Sequence, residues 1–287
     1  MRESLKEFMH TFKEHKGGVI GVCFLTFIIL LAIFPFLFSQ YDPIEQFREY
    51  SLVPPFWQEG GNTNFLLGTD VLGRDLLSRI VHGTRYTLFI GILVVVTSLV
   101  IGIIIGTFAG YYGGSFDAFI CRIMDIILSF PGLLLALVLV TILGPGLINA
   151  MLSIAVVQLP HFVRLTRAQI MSEKHREYYI SGKIIGMSDF QLMFKILLPN
   201  CLSPLIVQST LNFSNAILDA AALGFLGLGA QPPIPEWGTL LADSREFILR
   251  AWWVVTFPGL MILLTVLSIN LIGDGLRDTL DPKLKKS

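Results

Sequence analysis

The chain has 287 residues, of which 53% are hydrophobic and 15% are charged. Because soluble domains carry about a quarter charged residues, this composition excludes an ordinary soluble domain and indicates an integral membrane protein. The 21 basic and 21 acidic residues cancel at pH 7, so the net charge indicates no nucleic-acid partner. Three widely spaced cysteines, with no CxxC or Cys/His cluster, predict neither a disulfide framework nor a metal site.

Six apolar segments are long enough to cross a membrane, which takes roughly 20 mostly apolar residues. They predict an all-α protein with six transmembrane helices, over residues 18–38, 88–111, 119–143, 147–163, 202–226 and 252–272. The first has too long an apolar core for a signal peptide and no A-x-A-like site after it, so we expect a retained span. The third contains Pro131, which we expect to kink its helix.

The basic residues are unevenly distributed between these spans. With the N-terminus inside, the inner segments hold 15 Lys and Arg and the outer segments hold 6. Since basic residues are enriched in cytoplasmic loops, both termini and the segment between spans four and five are predicted to be cytoplasmic.

The two outer loops carry different patterns. The long loop ends in RDLLSRIVHGTRYTLF, which predicts an interfacial amphipathic helix with Leu76, Leu77, Ile80 and Val81 on one side. The shorter loop, over residues 227–251, contains QPPIPEW, and its prolines predict a stiff loop without regular helix.

Two features inside the spans predict helix contacts. Gly102, Gly106 and Gly110 repeat at the four-residue spacing that lets membrane helices approach closely. Arg122 and Asp125 lie one turn apart at the inner end of span three, and we expect them to pair with each other. Both features predict packing rather than chemistry.

The cytoplasmic segment between spans four and five contains the signals of two helices. A first helix is predicted over residues 172–185 and ends at Gly186, which suits the left-handed position after a helix. Ser188 is a good N-cap for the second helix, and Gln191 completes a capping box. The segment is either a helix pair that lies on lipid or a docking element for a cytoplasmic partner.

The second of these helices has an apolar stripe and a closing proline. Phe190, Met193, Phe194 and Leu197 follow the i, i+3, i+4, i+7 spacing of one helix face. Pro199 suits the first turn of the span that follows. We therefore expect a short, rigid helix joined closely to span five.

This segment resembles the EAA signature of binding-protein-dependent ABC importer permeases: a Glu-Ala-Ala triplet, three residues, a glycine, nine residues and I-x-L-P. Gly186, Ile196, Leu198 and Pro199 match that spacing. Residues 180–182 read Ile-Ser-Gly, so the triplet itself is not matched and its acid is lost. Glu177, one helical turn earlier, is the candidate replacement for that acid.

Four further stretches resemble the dipeptide, oligopeptide and nickel branch of that family, and most of all its second, shorter type of dipeptide permease subunit. They are LLGTDVLGRDLLSRIVHGTR, ILDAAALGFLGLGAQPPIPEWGTLLAD, WWVVTFPG and NLIGDGLRDTLDPKL. The resemblance divides the chain in two. Residues 1–60 form an N-terminal cytoplasmic tail, the first span and the start of the periplasmic loop. Residues 61–287 form the core permease domain, with five spans and the coupling segment 172–199.

The resemblance implies the type I permease fold of ABC importers, in the bacterial inner membrane, and a subunit without catalytic, cofactor or metal residues. The implied partners are a second permease, two cytoplasmic ATPase subunits that bind ATP and Mg, and a periplasmic binding protein. In agreement, the sequence has no P-loop, G-x-S-x-G or H-E-x-x-H motif. The resemblance assigns coupling to the ATPase to Glu177, Ser181, Gly182, Lys183, Gly186, Met187, Ser188, Phe190, Ile196, Leu198 and Pro199.

Asp219 is an ionisable residue inside predicted span five. It lies about 25 Å along that helix at 1.5 Å per residue, and so near the outer face. Ionisable residues inside a membrane commonly mark function. Asp219 is therefore either an outer gate or path lining, or a buried acid paired with a neighbouring helix or the second permease.

The resemblance implies import of dipeptides or short peptides, with nickel, glutathione or another small solute as alternatives. A different class, the ion-coupled secondary transporters, commonly has mid-membrane carboxylates and an inverted repeat, of which we find neither apart from Asp219. A membrane enzyme would need a Ser/His or His/Glu constellation in the spans, and none occurs.

Overall fold

The computed structural model describes residues 10–280. Within this range the chain is helical, and the one β feature is an isolated bridge between Thr69 and Asp75. The expected all-α fold is confirmed. The helices are α1 Lys16–Ile33, α2 Leu76–Tyr112, α3 Gly114–Leu128, α4 Gly132–Leu143, α5 Leu147–Glu173, α6 Glu177–Ile184, α7 Asp189–Asn200, α8 Leu202–Phe225, α9 Trp237–Ser244 and α10 Trp253–Leu280. Residues 1–9 and 281–287 of the predicted cytoplasmic termini lie outside the described range.

The six predicted spans correspond to four continuous helices and two broken ones. By length and composition, α1, α2, α5 and α10 can each cross a membrane. The pair α3–α4 is bent by 90° and the pair α7–α8 by 63°, and six spans result if each pair counts as one. The interruption predicted at Pro131 is confirmed, and it is a sharp break because Pro131 has the extended backbone that precedes α4.

Helix α1 packs against α10 and ends earlier than predicted. A Cβ on Gly21 would lie 2.5 Å from the Ser268 carbonyl oxygen, so only glycine permits this approach of the two helices. The helix stops at Ile33, and Pro35 begins a short 3-10 turn. The end at Ile33 follows from Pro35, because a residue before proline disfavours helical backbone.

The separate interfacial helix predicted at the end of the long outer loop is wrong. The Asp75 carboxylate accepts the Ser78 N–H at 2.8 Å, and α2 then runs unbroken for 37 residues. Leu76, Ile80 and Val81 are buried inside the protein, because their face packs on the chain itself instead of lipid. At 1.5 Å per residue α2 is about 55 Å long, so it joins the loop predicted to lie outside to the segment predicted to be cytoplasmic. The names outer loop and cytoplasmic segment follow that prediction.

Helix α2 packs closely along α5 through its glycines, as their spacing predicted. A Cβ on Gly102 would overlap Phe162, and one on Gly106 would lie 2.7 Å from the Val163 carbonyl oxygen. A Cβ on Gly110 would also come within 2.8 Å of α5 backbone. These two helices therefore form one rigid unit.

Two ion pairs join α3 to α5. Asp117 accepts hydrogen bonds from both Nε and Nη2 of Arg167, the second at 2.5 Å. Asp125 pairs with Arg164, so the predicted local pair with Arg122 is wrong. Arg122 is exposed and has no ion pair within residues 10–280. The reason is that α3 lies beside α5, which brings a basic side chain of another helix to the Asp125 carboxylate.

The shorter outer loop contains a helix that the prolines were expected to exclude. Helix α9 begins at Trp237, two residues after Pro235, and the side chain of its N-cap Glu236 accepts the Thr239 N–H at 3.0 Å. The expectation was wrong because the prolines end before the first helical residue. Proline disrupts the interior of a helix and not the chain that follows.

Candidate functional site

The cytoplasmic segment links α5 to α8 through α6 and α7. Helix α5 continues to Glu173, beyond the predicted span, and α6 begins at Glu177. The predicted first helix over residues 172–185 is therefore too long at its start. Arg176 has extended backbone and interrupts the helix there.

The turn between α6 and α7 has the predicted geometry. Gly186 has a φ of +85°, and no atom lies within 4 Å of the position that a Cβ would take. The Ser188 hydroxyl accepts the Gln191 N–H at 3.4 Å, and the Gln191 side-chain oxygen accepts the Ser188 N–H at 3.2 Å. The glycine turn and the capping box are both confirmed, and together they fix the angle between the helices.

Helix α7 buries one face against α2 and α5. Leu192, Met193 and Leu197 are buried in a cluster with Tyr111 of α2 and Ile170 of α5. This contact attaches the segment to the rigid α2–α5 unit.

The predicted apolar stripe of α7 is confirmed only in part. Met193 and Leu197 are buried and Phe194 packs on the same cluster, whereas Phe190 is 64% exposed. The middle of α7, Leu192–Leu197, is π-helical. A π-helix has a longer turn than an α-helix, so the inward face departs from the predicted spacing and includes Leu192.

The outward side of the segment exposes an apolar surface around Gly186. Ile184 and Ile185 are 81% and 80% exposed, and Lys183 and Phe190 are exposed beside them. We call these five residues the exposed tip. Contiguous exposed apolar residues mark interaction surfaces.

The remaining predicted coupling residues lie on the same two helices or in the turn between them. Gly182 is buried, and a Cβ there would lie 3.1 Å from Leu192 and 3.2 Å from the Met187 sulfur, so it lets α6 approach α7. Glu177, Ser181 and Ser188 are exposed, and Met187, Ile196 and Leu198 are partly buried. The structure thus brings all eleven residues into one segment, and their role in coupling stays a prediction.

Pro199 comes just before span five, as predicted, at the start of the short helical turn Leu198–Asn200. This turn ends α7, and the chain bends at Cys201 before α8 begins. The 63° bend makes this joint an angled connection instead of a straight continuation.

Sequence reasoning missed Tyr111, the residue that joins α2 to this segment. Its hydroxyl donates to Oδ1 of Asp189 at 2.5 Å, and its carbonyl accepts from Lys174 Nζ at 2.6 Å. Tyr111 and Asp189 are 78 residues apart, and no spacing pattern connects them.

Asp219 is partly buried on α8. Among residues 10–280 no hydrogen bond or ion pair reaches its carboxylate. Pairing with a neighbouring helix of this chain is therefore wrong. A gate, or a pair with a second permease, stays a prediction.

Sequence reasoning also missed a buried ionic cluster at the outer end of α2. Arg79 is 1% exposed, with its Nη1 3.6 Å from Oδ2 of Asp70 and its Nη2 4.0 Å from Oδ2 of Asp243. Nε of Arg74 lies 2.6 Å from the same Asp70 oxygen. Burial raises the pKa of Asp243, and the two arginines oppose that shift. The cluster joins the outer loop to α2 and α9.

Glu236 is a second buried acid on the outer side. Its carboxylate is enclosed, and burial raises its pKa against the opposing effect of N–H donors from Gly238 and Thr239. Glutamate is not among the usual N-cap residues, so no helix-start signal in the sequence identified it.

Comparison with known proteins then decides the family. The model of the family described as binding-protein-dependent transport system inner membrane component matches residues 102–286. A second model, the N-terminal TM domain of oligopeptide transport permease C, matches residues 4–55.

The chain belongs to the binding-protein-dependent transport permeases.

Relatives of this permease cover nearly its whole length. It is 57% identical over 282 residues to the dipeptide transport system permease protein DppC of Escherichia coli (strain K12), covering 98% of the chain and 94% of the relative. It is 57% identical over 283 residues to the di/tripeptide transport system permease protein DppC of Pseudomonas aeruginosa (strain UCBPP-PA14), covering 99% and 93%. The glutathione transport system permease protein GsiD of Pectobacterium atrosepticum is 40% identical over 285 residues, covering 99% and 93%.

The fold of the permease is shared with a solved structure. An inward-facing structure of the MetNI methionine ABC transporter contains a chain that matches with a TM-score of 0.59 at 20% identity, over 72% of this chain and 98% of that one. The predicted family and fold are confirmed. This permease is a multi-pass inner-membrane transport subunit, and its family implies ATPase and substrate-binding partners.

Proposed function

We propose that this permease forms half of the path of an ATP-driven importer of dipeptides or short peptides. The observation that carries the proposal is the capped α6–α7 segment, whose exposed tip projects from the rigid α2–α5 unit. A segment that passes on force must keep its shape, and the Gly186 turn and the capping box provide that rigidity. The dipeptide substrate is supported by relatives at 57% identity, against 40% for the glutathione permease.

The partners in this proposal are a second permease, two cytoplasmic ATPase subunits that bind ATP and Mg, and a periplasmic binding protein. The chain itself holds no cofactor, and both of its termini are cytoplasmic. Residues 1–60 carry the first span, and residues 61–287 form the core with coupling segment 172–199. The eleven coupling residues named above act by contact with an ATPase subunit.

A cavity at the inner end supports passage of a small polar solute. It has a volume of about 660 Å³ and lies between α5, α8 and α10. Gln169, Gln208, Asp274 and Arg277 are among its lining residues, so it offers amides and charges of both signs. Its volume is within the range of small-molecule sites, about 300–1,000 Å³. A zwitterionic peptide would find partners for both of its ends there.

The test compares two exposed positions on opposite sides of the membrane. Ile185→Cys lies at the exposed tip, and Leu249→Cys is 97% exposed in the outer loop. In a background with Cys23 and Cys121 replaced by serine, the first should cross-link to an ATPase subunit. The second should react with an impermeant thiol reagent in whole cells and give no cross-link. Labelling of Ile185→Cys from outside would contradict the proposal.

Uptake of alanyl-alanine distinguishes the transport classes. We expect ATP-dependent uptake in proteoliposomes that hold the complete complex and the binding protein, and none without the ATPase subunits. Uptake that persists without ATP and collapses with the ion gradient would indicate a secondary transporter instead.

A further inference from the structure

The last turn of α2 makes a direct bond to the cytoplasmic segment. The Tyr111 side chain is 9% exposed, and its hydroxyl donates to Oδ1 of Asp189 at 2.5 Å. Such O–H···O⁻ bonds are short and stronger than bonds between neutral groups. Asp189 is the first residue of α7, so the bond holds the start of α7 against α2.

The same residue also holds the chain on the other side of α6. Lys174 follows the end of α5, and its Nζ donates to the Tyr111 carbonyl at 2.6 Å and lies 5.4 Å from the ring centroid. On α6 itself, the Tyr179 ring meets the Tyr111 ring edge-on, with 6.4 Å between centroids. Tyr111 thus contacts the residue before α6, α6, and the first residue of α7.

The position of Tyr111 in α2 determines what these contacts can transmit. Helix α2 is unbroken from Tyr111 to the buried ionic cluster around Arg79 on the outer side. The covalent joints of the segment are not straight helices, because one is the turn before Glu177 and the other is the bend at Cys201. The Tyr111 bond and the buried face of α7 instead join the segment directly to the unbroken helix α2.

We infer that Tyr111 is a positioning residue that couples the cytoplasmic segment to α2, so that displacement of the exposed tip moves α2 together with α5 and α8. The inference rests on the proposed function, because it takes the force to come from an ATPase subunit. A tyrosine with a merely structural role would affect the stability of the complex and leave the amount of peptide imported per ATP unchanged.

The experiment compares two neighbouring tyrosines of α2. Tyr111→Phe removes only the hydroxyl that bonds Asp189. Tyr112→Phe is the matched control, because Tyr112 is 57% exposed and its hydroxyl has no hydrogen bond within residues 10–280. Both variants are assembled with their ATPase and permease partners, and uptake of alanyl-alanine and ATP hydrolysis are measured on the same proteoliposomes.

We expect Tyr111→Phe to lower the peptide imported per ATP by about threefold or more, since a bond to a charged group shifts an equilibrium by that factor or more. ATP hydrolysis and assembly should persist, and Tyr112→Phe should match the unaltered complex. An unchanged ratio in Tyr111→Phe would overturn the inference. Absence of ATP-driven import by the unaltered complex would instead contradict the proposed function.

Substitution of Asp189 tests the same bond from the other side. Asp189→Asn keeps an acceptor oxygen, so the peptide imported per ATP should stay close to that of the unaltered complex. Asp189→Ala should lower the peptide imported per ATP as Tyr111→Phe does. If the two residues act through one bond, the double variant should be no worse than either single variant. Additive losses would overturn the inference. Asp189 is exposed, so Asp189→Ala carries the test should Tyr111→Phe reduce assembly.

Discussion

The two ends of α2 are attached in different ways. At the outer end, buried Arg79 has its Nη1 3.6 Å from Asp70 and its Nη2 4.0 Å from Asp243, and the Trp237 indole donates to the Ile80 carbonyl at 3.0 Å. At the inner end, the polar links from α2 to the cytoplasmic segment are those of Tyr111, and beyond them Ile184 and Ile185 of the exposed tip are about four-fifths exposed. The outer end is therefore fixed to its surroundings, while the inner end holds a segment through the Tyr111 bonds and one buried face of α7, and the tip of that segment projects freely.

This difference indicates which end can move. Opening the outer contacts would leave buried charges and donors without partners, and each such group costs about 1–3 kcal/mol or more. Displacing the exposed tip uncovers little that is not already exposed. Variants at the outer end should therefore change stability, and variants at the inner end should change transport.

The largest expected effect is at the outer end, with Arg79→Ala. It removes a buried charge that faces Asp70 and Asp243 and leaves those carboxylates with less compensation. We expect a loss of about 2–4 kcal/mol, because truncation of a large enclosed side chain leaves a cavity and the two carboxylates lose part of their compensation. The measurement is the thermal unfolding midpoint of the detergent-solubilised protein.

Arg48→Ala is the control, because Arg48 is exposed in the same outer loop. Its effect should stay within about 0.5 kcal/mol. Equal midpoints for the two variants would show that the ionic cluster does not hold the outer end. The fraction of the Arg79→Ala protein that still folds should import as much peptide per ATP as the unaltered protein does.

The second effect is at the inner end, with Gly186→Val. A φ of +85° is unfavourable for a β-branched residue by about 1–2 kcal/mol, and no neighbour opposes the side chain. The turn should therefore change its shape while the remainder of the fold is unaffected. We expect lower import per ATP at a nearly unchanged unfolding midpoint.

Gly186→Asn separates backbone conformation from the mere presence of a side chain. Asparagine adopts the left-handed region more readily than valine, so this variant should keep more of the import. If valine and asparagine reduce import equally, the angle of the turn is not what matters. If neither reduces it, the segment does not couple hydrolysis to transport.

Features set by neighbouring residues were predictable from the sequence. The Gly186 turn and the Ser188–Gln191 capping box involve residues within a few positions of each other, so local backbone rules decide them. The break at Pro131 is of the same kind, since a missing N–H acts where it occurs. The glycine spacing of α2 was also sufficient to predict a close helix contact.

Features that join distant helices were not predictable in the same way. Asp125 was assigned to a neighbour on its own helix, but its partner Arg164 comes from α5. The Tyr111–Asp189 bond likewise depends on where α7 lies against α2. Periodicity gives the buried face of a helix but not the helix that covers it, so the contacts that position the candidate site needed the structure.

The smallest expected effect concerns the pH dependence of the outer end, through Glu236. Burial raises its pKa in the folded protein above the ordinary value of 4.5. Between these two values the folded state holds the proton and the unfolded state has lost it, so the free energy of unfolding falls as pH rises. Above the pKa of the folded protein the destabilisation by Glu236 becomes constant, and below pH 4.5 Glu236 causes none.

Glu236→Gln cannot titrate, yet it keeps an oxygen that can accept the Thr239 N–H. We expect it to reduce the fall in stability with rising pH, by at most about 1.4 kcal/mol per pH unit for one proton. Part of the dependence should remain, because burial also raises the pKa of Asp75 and of Asp243. Glu45→Gln, at an exposed acid of the long outer loop, is the control. If the free energy of unfolding changes with pH equally in the two variants, the enclosed carboxylate holds no proton at the outer end. The contrast between the ends of α2 would then rest on Arg79 alone.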